Sequence, residues 1–110
     1  MDALIQWVQD GKVYQFEPHK ATILFDREGK VDDWMLERTY NSHIILYHTK
    51  TEKYVLVTED SQPAGLLSAE WRHRNVSLIP REIAVASLSV NRPWATEDGL
   101  KLLLSGIETI

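Results

Sequence analysis

Residues 43–60 read HIILYHTKTEKYVLVTED, the densest run of β-branched and aromatic residues in the chain. Two extended segments, His43–Thr49 and Tyr54–Glu59, flank the polar link Thr49-Lys50-Thr51-Glu52-Lys53, which predicts a hairpin with a longer loop. Side chains alternate across a strand. Ile44 and Leu46 therefore point one way and Ile45 and Tyr47 the other, and Tyr54 and Leu56 oppose Val55 and Val57. Both faces are apolar, which places this hairpin in the middle of a sheet with a cover on each side.

Upstream, Leu4–Gln9, Asp10-Gly11 and Lys12–Glu17 predict a tight hairpin, because Asp-Gly suits a turn with positive φ at both central residues. A short helix capped by Asp2, with Leu4, Trp7 and Val8 on one face, is the competing reading. The β propensity of Ile5, Trp7 and Val8 favours the hairpin. Ala21–Asp26 is the next strand, Asp26-Arg27-Glu28-Gly29 a second turn, and Lys30–Tyr40 a further strand placing Trp34, Leu36 and Tyr40 on one face. The alternative for that segment is a helix behind an Asp32 cap. The first sixty residues thus hold up to six strands in an antiparallel meander.

Downstream the pattern changes. Ser61-Gln62-Pro63 carries helix-start chemistry, with Leu67, Trp71 and Arg74 at helical spacing, although Leu67, Ala69 and Trp71 also alternate as in a strand. Pro80-Arg81-Glu82 opens either a helix through Leu88 or a buried strand. The last element is a helix capped by Thr96, with Glu97 and Asp98 in its first turn and an apolar stripe of Leu100, Leu103, Leu104 and Ile107. Leu102 lies off that stripe. The expected fold is a single α+β domain over residues 1–110. It has a curved antiparallel sheet of about five to seven strands, meander-like, with the C-terminal helix on one face. That helix covers one face of the central hairpin. A second sheet layer, the 63–90 region or a second subunit must cover the other.

Composition narrows function. The 110 residues contain no cysteine, which excludes a disulfide scaffold, a thiol nucleophile and a cysteine zinc site. No stretch reads as a secretory signal or a membrane span, so the expectation is a soluble cytoplasmic protein with no membrane partner. Residues 1–60 hold eleven acids against seven bases, whereas residues 61–110 hold five of each. Such a balance suits a protein partner, or a second copy as in a homodimer, better than nucleic acid.

No recognised chemical motif is present. His19, His43, His48 and His73 show neither HxH nor HxxxH spacing, so no metal site is expected. Asp32, Asp33 and Glu37 form a close carboxylate group, but adjacent strand residues point to opposite faces. GxGxxG, GxxxxGK[ST] and GxSxG are all absent. No cofactor or catalytic residue is assigned. Trp71-Arg72-His73-Arg74 is the most distinctive polar cluster, a candidate anion- or partner-binding site. Trp34, Tyr47, His48 and Tyr54 are the candidates for an aromatic ligand pocket. The leading expectation is a non-catalytic binding protein acting through a protein surface. The alternative is a small-molecule-binding domain or small enzyme with an aromatic-lined pocket.

Overall fold

The computed structural model describes residues 4–35, 38–66 and 69–110. Asp2, Leu36, Glu37, Leu67 and Ser68, which carry roles in the sequence reading, lie outside the described residues. Six antiparallel strands form two sheets. Strands β1 (Ile5–Gln9) and β2 (Lys12–Phe16) pair with each other alone. Strands β3 (Thr22–Asp33), β4 (Arg38–His48), β5 (Tyr54–Gln62) and β6 (Trp71–Ile79) form a four-stranded meander in chain order. Two helices follow, α1 (Arg81–Val90) and α2 (Glu97–Gly106).

Residues 43–60 lie at the centre of the meander, as their two apolar faces require. On one face Leu24, Phe25 and Leu46 pack against Ala84 and Leu88 of α1 and Leu103 of α2, with Ile44, Tyr54 and Leu56 beside them. On the other, Tyr47, Val55 and Val57 pack under Phe16, with Ile5 and Trp7 of the small hairpin. The second cover is therefore a second sheet layer, built from β1 and β2. Burying each such side chain contributes about 1.5–3 kcal/mol, which is why neither face is left open at the middle of the sheet.

Local chemistry accounts for the elements. Asp10 and Gly11 both take positive φ, 51° and 75°, the turn that a two-residue hairpin needs. The β3–β4 register shifts between Ile23 and Phe25, so Leu24 and Phe25 both enter the helix-side core. Thr96 caps α2 by accepting the Gly99 N–H at 3.1 Å. The same hydroxyl donates to the Ile23 carbonyl at 2.7 Å, and the Thr96 N–H donates to the Leu24 carbonyl at 2.9 Å. These bonds pin the helix start to the edge of β3.

Two expectations are corrected and two open readings are decided. Residues Asp26–Gly29 are not a turn but the middle of β3, and the reversal comes after Asp33. Turn-type residues are tolerated there because the strand runs past the helices, with Asp26 held by His43 and Arg27 by Asn91. Lys30–Tyr40 is accordingly divided between β3 and β4. Ser61-Gln62 does not start a helix: β5 continues to Gln62, which pairs with Trp71, and Trp71–Ile79 is a strand. Residues 81–90 are helical, their backbone started by the Pro80 carbonyl accepting from Ile83 and Ala84.

The buried face of α2 is also rotated from the leucine stripe. Gly99 and Leu103 are buried and Leu102 packs on the core, whereas Leu104 is 62 % exposed and Ile107 is exposed too. Glycines set this orientation. A Cβ on Gly99 would lie 1.9 Å from the Leu24 carbonyl oxygen, and one on Gly106 would lie 2.7 Å from Val85. The helix seats its bare backbone, not its longest row of leucines, against its neighbours.

Candidate interaction surface

The β3–β4 and β5–β6 connections leave the same end of the meander, here called the loop end. The β4–β5 loop lies at the opposite end with the start of α1. Helices and small hairpin cover the sheet near that opposite end. Near the loop end both faces are uncovered, and the side chains there divide by the alternation of the strands.

On the helix side, Val31 pairs with Tyr40, and Gln62 pairs with Trp71. The Trp71 indole N–H donates to Gln62 Oε1 at 2.8 Å, and Gln62 Nε2 donates to the Thr39 carbonyl at 3.1 Å. The Tyr40 and Trp71 rings lie 5.7 Å apart across this amide. The glutamine thus holds two half-buried aromatics in one row. Beyond the row, Trp34 and Met35 in the β3–β4 connection are 82 % and 75 % exposed, and Leu66 in the β5–β6 connection is fully exposed. Single exposed apolar residues are ordinary. Three large ones on the two connections that leave this end of the sheet, where Tyr40 and Trp71 also pack, are the kind of side chains that partners bury.

On the hairpin side the loop end is polar. His43 Nε2 lies 2.6 Å from Asp26 Oδ1. Arg74 donates from Nε and a terminal nitrogen to Glu59 Oε2, at 3.2 and 3.0 Å, and Arg72 Nε lies 3.5 Å from Glu59 Oε1. Two guanidinium groups share one carboxylate. His43, Glu59 and Arg74 line an open cleft of about 180 Å³ floored by Ile45, Tyr47 and Val57.

The four aromatics proposed from sequence for a pocket are not brought together. Tyr47 is buried on the hairpin side, its ring 5.1 Å from Phe16. His48 and Tyr54 stack on the helix side with ring centroids 4.8 Å apart. His48 Nε2 is buried and 3.0 Å from Glu52 Oε2, at an angle too poor for a hydrogen bond. We treat that contact as proximity of charge, since the bond angle decides the strength of the interaction. Trp34 lies beyond the far end of β4, nine residues from Tyr47 to Arg38, or about 30 Å at strand rise.

The cluster Trp71-Arg72-His73-Arg74 is likewise divided. Trp71 and His73 face the helix side, and Arg72 and Arg74 face the hairpin side. An aromatic and two arginines adjacent in sequence thus do not present one stacking site. Asp32 accepts from Thr39 Oγ1 at 2.7 Å on the exposed ribbon. Among the described residues, no group of three or more His, Cys, Asp or Glu stands close enough to hold a metal ion, and no helix is long and apolar enough to cross a membrane.

Met35 and Leu66 were not singled out from sequence. Their exposure follows from where the strands end; in sequence each stands beside other apolar residues, which reads as readily as core. Compared with known proteins, the chain matches no family model, no curated protein and no solved structure.

Proposed function

We propose that this chain is a non-catalytic interaction protein that binds a protein partner through the loop end of its sheet. The observation that carries the reading is the exposure of Trp34, Met35 and Leu66 on the two connections that leave one end of the sheet, the end at which Tyr40 and Trp71 pack. Tryptophan and methionine supply much of the energy of protein interfaces, and charged residues are sparse at their centres. The polar hairpin side of the same end would form a hydrated rim. The reading takes the protein as soluble and cytoplasmic, supported by a chain without cysteine.

The test compares surfaces. A tagged wild-type chain and a Trp34→Ser/Leu66→Ser variant are used to capture partners from cells at low and moderate salt. A Val8→Ser/Val13→Ser variant, altered on the exposed outer face of the small hairpin, is the control. The reading expects a partner retained by wild type and control and lost with the loop-end variant. Equal retention by all three chains sinks it.

A further inference from the structure

Among the described residues, both outer edges of the meander are closed by the chain itself near the helices and are unpaired toward the loop end. On β6, the Gln9 side chain acts as a one-residue strand: Gln9 Nε2 donates to the Leu78 carbonyl at 3.0 Å, and the Leu78 N–H donates to Gln9 Oε1 at 2.8 Å. On β3, Phe25 bridges to Ala95 beside the Thr96–Leu24 bond.

The register then settles which backbone groups remain outward. In an antiparallel ladder, residues alternate between bonding the neighbour strand and pointing away from it. Leu78 points away from β5, and the β5–β6 register runs without a shift, so Val76, Arg74 and Arg72 point away too. Carried across β5 and β4, the same alternation leaves the groups of Glu28, Lys30 and Asp32 outward on β3. The side chains of both sets lie on the hairpin side: Glu28 is opposite His43, His43 opposite Glu59, and Glu59 opposite Arg74.

The two open edges differ in charge. Arg72 and Arg74 share only Glu59, and their side chains are 67 % and 49 % exposed. The β3 edge offers Glu28 and Asp32 with Lys30 between them. Strands β3 and β6 run in opposite directions within the meander, so β6 of one copy beside β3 of another continues an all-antiparallel sheet with the hairpin sides aligned. Pairing β6 with β6 over these residues would set Arg74 against Arg72 or Arg74 of the other copy, which is destabilising.

From this we infer that copies of this chain associate head to tail, the open edge of β6 pairing with the open edge of β3 in the next copy. In the register that sets Arg74 opposite Glu28 of the partner subunit, Arg72 lies opposite the partner's Lys30 and diagonal to both the partner's Glu28 and the partner's Asp32. An interface of this kind uses two different patches and closes into a ring or extends as a filament. It leaves the loop ends of successive copies along one side of the assembly. The inference does not depend on the partner reading above, since it uses neither Trp34 nor Leu66.

The test is sedimentation equilibrium from micromolar to millimolar concentration. Wild type is expected to exceed the mass of one chain at low salt and to return toward it at high salt, because exposed charges are screened. Arg74→Pro removes an outward N–H without removing a ladder bond, and Glu28→Pro does the same on β3. Each variant alone is expected to remain a monomer, and an equimolar mixture is expected to form a one-to-one dimer through the intact edge of each. Thermal melts confirm that both fold, and Arg72→Glu/Arg74→Glu provides a second β6 variant if Arg74→Pro does not. A wild type that stays monomeric at low salt overturns the inference, since the edge charges then serve only to keep copies apart. A folded Arg74→Pro or Glu28→Pro chain that still self-associates overturns it as well.

Discussion

Replacing Gly99 by alanine tests how α2 is seated on the sheet. The added Cβ would lie 1.9 Å from the Leu24 carbonyl oxygen, 2.8 Å from its carbonyl carbon and 3.0 Å from Leu88 Cδ2. The first two atoms are backbone in a bulged edge strand and cannot rotate away. Real Cβ contacts essentially never fall below 3.0 Å, so the start of α2 must retreat by about an ångström. The same retreat stretches the Thr96 N–H bond to Leu24 and the Thr96 hydroxyl bond to Ile23, now 2.9 and 2.7 Å. Overpacking costs about 1–3 kcal/mol, and each weakened bond adds about 1 kcal/mol. Against this, alanine favours a helix over glycine by up to about 1 kcal/mol. The expected net loss is about 2–4 kcal/mol, a Tm lower by about 10 °C or more for a domain of this size. Thermal and urea melts measure it. Gly29→Ala is the control: its Cβ meets nothing within 4 Å and its backbone is extended. That substitution is expected to be neutral or stabilising by up to about 1 kcal/mol. A Gly99→Ala protein melting at or above wild type would refute the close seating of α2 on β3.

Leu103→Ala should cost about 2–5 kcal/mol in a urea melt and Leu104→Ala less than about 0.5 kcal/mol, because only Leu103 is buried; equal losses would count against the orientation of α2. Gln9→Ala leaves the Leu78 N–H and carbonyl without their partner and should cost about 1–3 kcal/mol, with faster amide exchange at Leu78. In dilute wild type, the amides of Arg72, Arg74 and Val76 should exchange quickly and those of His73, Asn75 and Ser77 slowly; the reverse order would mean a different β6 register. The Glu17 carboxyl is held below its ordinary value first by the hydrogen bond from Lys20, against an opposing desolvation, with the charges of Lys20, His19 and Lys50 adding to the lowering. Its contribution to stability is therefore present above the unfolded carboxyl pKa and lost as pH falls through the lower folded value. Lys20→Ala should move the Glu17 titration upward in NMR, and an unchanged titration would exclude Lys20 as the cause.

The sequence was most legible where a local rule coincided with the tertiary outcome. Asp10-Gly11 specifies its turn by φ alone, Thr96 caps by the reach of its own hydroxyl, and residues 43–60 announce a central position by having no polar face. It was misread where a residue type serves two environments. Asp26-Arg27-Glu28-Gly29 suits a turn and equally suits an exposed ribbon, and only its pairing with residues 42–45 of β4 distinguishes them. Trp71 suited two periodicities, and the ladder of β5 with β6 places it at the start of a strand.

The candidate surface was legible in part. Trp34 and the 71–74 cluster were singled out by composition and do lie toward one end of the sheet. Their division between faces, and the distance of Trp34 from Tyr47, depend on strand length and register, which are set by partners far away in sequence.

By itself, then, the sequence determined an α+β chain with an antiparallel meander, a doubly apolar central hairpin and a capped C-terminal helix, because each of these is written in spacing of a few residues. Tertiary structure decided which layer covers the second face, which side of α2 is buried, and which apolar side chains are left at the loop end. Those outcomes depend on how closely two backbones approach, and on where one strand outruns another. Both are properties of pairs of distant segments, which no local pattern encodes.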